Sequence, residues 1–158
     1  MSFAAPLAIT LARVGGGELD EVMTVMEQSF DPCFGEAWTR GQCAGILPMN
    51  GVALLLARDA DRAVGFSLSR QVADEAELLL IGVVPLARGR GIARALLDRF
   101  VADAAQTGAR HFHLEVRDGN PAVALYLAHG FAIVGRRANY YRGATEEKLD
   151  ALTMSLRR

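Results

Sequence analysis

A chain of 158 residues, 51% hydrophobic and 22% charged, has the composition of one globular domain and is short for two. Its formal net charge of −1 argues against a general nucleic-acid binder, which usually carries a basic excess. Cys33 and Cys43 lack the spacing of a metal site or disulfide framework, so we expect free thiols and no metal. The chain shows no signal-peptide pattern, and its longest apolar run is too short to cross a bilayer. We therefore expect a single cytoplasmic domain over residues 1–158, without a membrane partner and with no specified oligomeric state.

Hydrophobic patterning predicts the elements of the first half of the chain. A weak alternation over Leu7–Arg13 predicts a strand, and apolar residues at helical spacing predict an amphipathic helix over Glu18–Ser29. Asp31-Pro32 should end that helix, and Thr39 is a good N-cap for a short second helix toward Ile46. Two β-rich runs joined by a turn-like segment then predict a hairpin formed by Val52–Arg58 and Ala63–Val72.

The second half alternates strands and helices. The nearly apolar run Ala76–Val84 predicts a central strand covered on both faces. A helix should follow and run to about Gln106, before the terminating Gly108. The remaining predicted elements are a strand at His111–Val116, a short helix at Pro121–His129 with Gly130 at its end, and strands at Phe131–Arg137 and Leu149–Leu156. The order β-α-α-β-β-β-α-β-α-β-β predicts a mixed α/β sheet rather than a doubly wound parallel one.

The loop after the central strand has the features of an anion site. A helix N-terminus leaves amide N–H groups unpaired, and its dipole favours negative charge there. Gly89 and Gly91 would let a diphosphate approach the backbone. Positive charge and bidentate donors come from Arg88, Arg90 and Arg94. This combination indicates a phosphorylated cofactor, although an ordinary strand–helix turn with surface arginines would have the same composition.

The spacing of the loop excludes two common phosphate motifs. A Walker-type loop needs a Lys followed by Ser or Thr, where this chain has Arg94-Ala95. A dinucleotide fingerprint needs a third glycine at the position of Arg94. The loop instead reads R-x-x-G-x-A from Arg88 to Ala93, immediately after V-x-P. It resembles the pyrophosphate loop (Q/R)-x-x-G-x-(G/A) of the GNAT N-acetyltransferases, which bind acetyl-coenzyme A.

A second stretch, LEVRDGNPAVALYLAHGF (Leu114–Phe131), resembles the other half of the GNAT signature. LEVR, RRANYY (Arg136–Tyr141) and LDALTM (Leu149–Met154) resemble the RimI-type branch, which acetylates the N-terminal alanine of a small-subunit ribosomal protein. The resemblance covers roughly Glu75–Met154. It implies a mostly antiparallel mixed sheet flanked by about four helices, and acetyl transfer to a primary amine. The acceptor would be a protein N-terminus; a small-molecule amine, or a non-catalytic acyl-coenzyme A-binding module, is the alternative.

The resemblance implies two catalytic residues. Glu115 corresponds to the general base, acting through water, and Tyr126 to the general acid that protonates the departing thiolate. An unperturbed tyrosine is protonated at neutral pH, so it can donate in this way. Glu115 could instead form an ion pair with Arg117 or Arg137, and Tyr126 could be a core residue on an apolar helical face.

The resemblance also implies the residues that bind the cofactor. The fourth strand is expected to be locally broken and to diverge from the next strand at Ile81, Gly82 and Val83, where the cofactor's arm would insert. The implied pyrophosphate contacts are Arg88, Gly89, Arg90, Gly91, Ile92, Ala93 and Arg94. Asn120 matches a cofactor-contacting asparagine, but Tyr126 follows it by six positions rather than the usual seven. The chain must therefore absorb a one-residue shortening near Pro121.

Three aromatic residues are implied to line the acceptor groove. Tyr140 and Tyr141 resemble a groove-lining tyrosine pair, although a strand-end aromatic pair would look the same. Trp38, the single tryptophan, could form the opposite wall or belong to the core.

Overall fold

The computed structural model describes residues 9–144 and 148–158, and its strands form a seven-stranded sheet. Leu7 and Ala8 of the predicted first strand lie outside the described residues, and the order of elements otherwise confirms the prediction. Within these ranges, no helix has both the length and the apolar character that a membrane crossing requires. The elements are β1 (Ile9–Val14), α1 (Leu19–Ser29), α2 (Arg40–Ile46), β2 (Val52–Asp59), β3 (Arg62–Val72), β4 (Glu75–Val83), α3 (Ile92–Gln106), β5 (His111–Arg117), α4 (Ala122–His129), β6 (Ala132–Arg142) and β7 (Lys148–Arg157).

The sheet is mixed and mostly antiparallel, as predicted. Its strand order is β1-β2-β3-β4-β5-β7-β6, which places β4 at the centre. β4 and β5 form the parallel pair, and the other neighbours are antiparallel. Helix α3 provides the crossover connection that a parallel pair of consecutive strands requires.

Several element boundaries form for the reasons indicated by the sequence. The Thr39 hydroxyl accepts a hydrogen bond from the Gln42 N–H at 3.2 Å, and the Gln42 carboxamide oxygen accepts one from the Thr39 N–H at 2.8 Å. This reciprocal capping box starts α2. Gly108 and Gly130 follow α3 and α4 with positive φ angles, the conformation in which a glycine commonly ends a helix.

Helices α1 and α3 cover opposite faces of the sheet. Gly65 and Phe66 are consecutive in β3 and therefore point to opposite faces. A side chain at Gly65 would contact Ile92 in α3, whereas the Phe66 side faces Gly82 and Ser29, the last residue of α1. The buried apolar residues form two clusters: one joins α1, α2 and the start of α3 to β2, β3 and β4, and the other joins α3 and α4 to β4, β5 and β7.

Two strands differ from the predictions. β4 is not covered on both faces, because Leu79 and Ile81 are only partly buried and line a cavity. The β4 residues on the cavity side are nevertheless apolar, because the cavity itself is largely apolar. β6 extends to Arg142, well beyond the predicted end at Arg137, through a register irregularity that includes Asn139 at a φ of 56°.

Candidate active site

The central feature of the site is a fork between β4 and β5. Their parallel ladder runs from Glu75–His111 to Leu78–Leu114 and stops there. On the β3 side, the register shifts at the same level, which leaves Leu79 as a bulge. The predicted break in β4 is therefore located at Leu79, before the expected residues.

The predicted break in β4 included Gly82, but Gly82 does not interrupt the ladder between β3 and β4. It pairs in register with Phe66 of β3, so the ladder is intact there. A Cβ atom at Gly82 would lie 3.0 Å from both the Phe66 ring and the Ser29 side chain. The missing side chain thus lets the end of α1 pack closely on β4 beside the fork.

A cavity of about 780 Å³ occupies the fork. Its walls come from the end of α1 and the loop after it, β4, β5, α4 and the end of β6. The predicted site residues that line it are Ile81, Gly82, Val83, Arg88, Ala93, Glu115, Asn120, Tyr126 and Tyr141. The predicted residues outside this described lining are Trp38, Gly89, Arg90, Gly91, Ile92, Arg94 and Tyr140.

The N-terminus of α3 lies at the rim of the cavity, where Arg88 and Ala93 line it. Gly89 and Gly91 have φ angles of 79° and 77°, and within the described residues no atom lies within 4 Å of the Cβ position of either. No side chain in the described part of the chain caps the helix, and its first turn contains no acidic residue. The first-turn N–H groups are thus available to an anion.

We expect Gly91→Ala to weaken coenzyme A binding about tenfold, since a methyl group would enter the space in front of the unpaired amides and the left-handed backbone would be strained. Calorimetric titration with coenzyme A measures the affinity. Gly108→Ala is the matched control: Gly108 also has a positive φ and open surroundings, but it follows the opposite end of α3. Equal losses of affinity in the two variants would contradict an anion site at Gly91.

The three arginines of the loop differ in their contacts. Arg88 donates hydrogen bonds from Nε to the Val83 carbonyl at 3.2 Å and from Nη2 to the Ser29 carbonyl at 2.9 Å. Arg90 forms an ion pair with Asp59 at 2.8 Å. Arg94 is exposed. Arg88 and Arg90 therefore connect the glycine loop to α1 and to the β2–β3 hairpin.

Glu115 lies between two buried residues of β5, and its side chain faces the cavity with 15% exposure. Oε1 lies 2.9 Å from Arg137 Nε, so the ion pair with Arg137 that the sequence left open is present. Oε2 is buried and has no hydrogen-bond partner among the described residues. Desolvation raises the pKa of Glu115, with Arg137 opposing the shift and Glu77 adding to it. The carboxylate thus keeps one oxygen available as a proton acceptor.

These charges predict opposite changes in the pKa of Glu115. Arg137→Met should raise it further, because a favourable positive charge is removed, and Glu77→Gln should lower it, because a repulsive negative charge is removed. NMR titration of the Glu115 carboxyl carbon measures both changes. Shifts of the same sign in the two variants would show that direct charge interactions do not control this group.

The raised pKa also predicts how Glu115 affects stability. The native state holds the Glu115 proton more tightly than the unfolded chain does. The resulting contribution to the free energy of unfolding is therefore fully present below the ordinary glutamate pKa of about 4.3. It is lost as the pH rises through the raised native value.

Tyr126 combines burial in the core with access to the cavity. It is 4% exposed on α4, and its ring meets Phe131 edge to face with centroids 6.1 Å apart. Burial raises the pKa of Tyr126 far above its ordinary range. The hydroxyl therefore remains protonated at neutral pH and can donate a proton or hydrogen bond inside the cavity.

Residues 21–131 match the acetyltransferase (GNAT) family. This chain belongs to the GNAT family. It is 33% identical over 95 residues to the ribosomal protein bS18-alanine N-acetyltransferase of Haemophilus influenzae, across 60% of this chain and 65% of that protein. It is 44% identical over 91 residues to the N-alpha-acetyltransferase RimI of Mycobacterium tuberculosis, across 54% of this chain and 56% of that protein. The matched part thus spans less than two thirds of these curated relatives.

The GNAT fold prediction is confirmed by a solved structure. The crystal structure of the ribosomal-protein-S18-alanine N-acetyltransferase from Escherichia coli superposes with a TM-score of 0.84 at 26% identity, covering 94% of this chain and 93% of that one. The resemblance to the RimI-type branch, inferred from LEVR, RRANYY and LDALTM, therefore extends to nearly the whole architecture.

Of the aromatic residues predicted to line the GNAT acceptor groove, Tyr141 belongs to the described cavity lining. Tyr140 is 50% exposed, and the two tyrosine rings meet edge to face with centroids 4.9 Å apart. The Tyr141 hydroxyl donates to the Glu115 carbonyl at 3.5 Å, and burial raises the pKa of Tyr141. Trp38 packs against the apolar cluster beside α1, which is the core position left open by the sequence.

Asn120 lies in the turn before α4, where the sequence predicted a one-residue shortening. Asn120 Oδ1 accepts a hydrogen bond from the Ala122 N–H at 2.8 Å, and α4 begins immediately after Pro121. Asn120 lines the cavity, but its amide nitrogen donates to Glu36 Oε2 at 2.7 Å. Both the oxygen and the nitrogen of the Asn120 side-chain amide thus have protein partners.

Glu36 is the cavity residue that sequence reasoning missed most completely. It lies in the loop between α1 and α2, and its carboxylate reaches Arg117 as well as Asn120. Glu36 belongs to no periodic pattern or motif in the chain. Its partners are 81 and 84 positions away, so only tertiary folding identifies it.

Proposed function

We propose that this chain transfers the acetyl group of acetyl-coenzyme A to a protein α-amino group, and that the acceptor is the N-terminal alanine of a ribosomal protein. One observation carries the proposal: Glu115, with a buried oxygen that has no described hydrogen-bond partner, and Tyr126, whose buried hydroxyl is protonated at neutral pH, line the same cavity in the β4–β5 fork. The printed names of the relatives support the choice of acceptor. We further propose that the chain acts as one domain, in the cytoplasm.

The cavity fits an acyl-coenzyme A. The uncapped start of α3 and the open space at Gly89 and Gly91 suit the diphosphate, and the apolar fork suits a long flexible arm. Bound acetyl-coenzyme A supplies an activated acetyl group and a thiolate leaving group. We propose that backbone N–H groups in the diverging part of β4, from the Leu79 bulge onward, polarise the acetyl carbonyl.

The side chains of Glu115 and Tyr126 then take part in two proton transfers. A protonated α-amine has a pKa near 8, so a modest base is sufficient to deprotonate it. In our proposal, Glu115 Oε2 accepts that proton, directly or through water, and the Tyr126 hydroxyl donates a proton to the sulfur. Transfer is direct within a ternary complex, since the described lining contains no cysteine that could carry the acetyl group.

The test compares acceptors under identical conditions, with thiol release and mass spectrometry as readouts. The panel contains an alanine-initiated ribosomal peptide, the same peptide with a blocked N-terminus, a lysine-containing blocked peptide, and small amines such as a polyamine. We expect acetylation of the free peptide alone. Preference for the small amines would establish the small-molecule alternative. Coenzyme A binding without acceptor-dependent thiol release would establish a non-catalytic module.

A further inference from the structure

The loop at residues 31–37, which follows α1, is fastened on both sides of the cavity. On one side its backbone contacts the end of β6: the Ala144 N–H donates to the Pro32 carbonyl at 3.3 Å. A Cβ atom at Gly35 would overlap the Arg142 carbonyl, and one at Gly143 would overlap the Cys33 carbonyl. The two segments therefore touch backbone to backbone, and the loop lies across one end of the fork.

On the other side, Glu36 fastens the same loop to β5 and to the turn before α4. Its Oε1 pairs with Arg117 Nε at 3.2 Å, and its Oε2 accepts from Asn120 at 2.7 Å. The Glu36 and Arg117 side chains are 10% and 9% exposed, and the Arg117 guanidinium stacks 3.6 Å above the Phe34 ring. Both carboxylate oxygens are thus used inside the protein.

A gain in folding stability does not by itself account for the buried Glu36–Arg117 ion pair. Burying two charges costs much of what their attraction returns, and an apolar pair of similar volume is often as stable. The ion pair instead fixes the position of the loop relative to two other segments. Arg117 lies two residues after Glu115 on the same strand, and Asn120 starts the turn into the helix that carries Tyr126. Glu36 therefore connects the loop to both segments that carry the proposed catalytic groups.

We infer that Glu36 is a positioning residue, which holds the 31–37 loop at the fork so that the acceptor amine is presented to Glu115. The inference rests on the proposed function, because it assigns the loop to the acceptor side of that site. A displaced acceptor loses rate even when the reacting groups are intact, so loss of the tether should lower kcat/KM for the peptide about 10- to 100-fold.

Two variants separate positioning from stability. Glu36→Gln keeps an oxygen for Asn120 but leaves Arg117 buried without a counter-charge, so the melting temperature and kcat/KM for the peptide should both fall. Adding Arg117→Met removes the unpaired charge. We expect the double variant to regain melting temperature while its peptide kcat/KM stays low, with unchanged calorimetric affinity for coenzyme A. Asp103→Asn, which breaks the Arg99–Asp103 pair of α3 outside the cavity lining, is the control with wild-type kinetics.

The possible results distinguish failure of the positioning role from failure of the proposed function. Rates are compared at a temperature at which circular dichroism shows every variant folded. Recovery of both melting temperature and peptide kcat/KM in the double variant would overturn the inference, as would a wild-type kcat/KM in Glu36→Gln. If the wild-type protein acetylates no α-amine, the proposed function fails. If the wild type is active and the variants match it, only the positioning role fails.

Discussion

Replacing Tyr126 with Phe is expected to lower kcat about 100-fold, the usual scale for removal of a general acid. The change deletes one hydroxyl from a side chain that is 4% exposed and keeps the ring packed edge to face on Phe131. The fold and the coenzyme A affinity should therefore be unchanged. The loss arises because the departing sulfur no longer receives the proton of this phenol, which is un-ionised at neutral pH.

Steady-state kinetics with a saturating alanine-initiated peptide measures this effect, and calorimetry measures coenzyme A binding. Tyr141→Phe is the informative comparison, since it removes a second cavity hydroxyl, which donates to the Glu115 carbonyl. We expect Tyr141→Phe to change mainly the acceptor KM. Equal losses of kcat in the two variants, or an unchanged kcat in Tyr126→Phe, would remove Tyr126 from the proton-donor role.

Replacing Glu115 with Gln is expected to lower kcat/KM about 100-fold near neutral pH, with the loss shrinking as the pH approaches 9 to 10. At low pH nearly every acceptor is an ammonium ion, which must lose a proton before it can attack. Above its pKa near 8, the amine is already neutral and needs the base less. Because Arg137 is 62% exposed, losing its partner leaves no buried unpaired charge, and the variant should fold.

A pH–rate profile from about pH 6 to 10 distinguishes this role from a purely structural ion pair. The control is Glu77→Gln, which removes another carboxylate that interacts with Glu115 but does not line the described cavity. Glu77→Gln should not lose rate preferentially at low pH. A Glu115→Gln variant with unchanged rates and altered melting would show that the Arg137 ion pair is its whole function.

Local patterns were sufficient to predict the order of strands and helices. Thr39, Gly108 and Gly130 act on residues within a few positions, so their effects on helix ends can be recognised directly. The glycine–arginine loop is equally local, because a helix N-terminus exposes its amides wherever it occurs. The order of strands within the sheet is not local, and β7 lies between β5 and β6 because non-adjacent segments pair there.

The site was predictable only in part, for the same reason. Glu115 and Tyr126 belong to a short motif and reach one cavity, but their ionisation states depend on burial that no motif records. Tyr140 and Tyr141 are adjacent in sequence and their rings are in contact, yet one lines the cavity and the other is half exposed at an irregular part of β6. The bulge at Leu79 depends on pairing with β3, so its position moved relative to the expectation.

The amino-acid sequence by itself determined the elements, the unpaired amides at the α3 N-terminus and the motif that contains Glu115 and Tyr126, because each depends on residues close together in the chain. Only the tertiary structure decided that β4 and β5 diverge after Leu78 and that Glu36 joins Arg117 and Asn120 across the fork. Those features depend on contacts between segments that lie far apart in the chain, between residues 36 and 120. Contact between distant segments is set by packing of the whole core rather than by any local pattern.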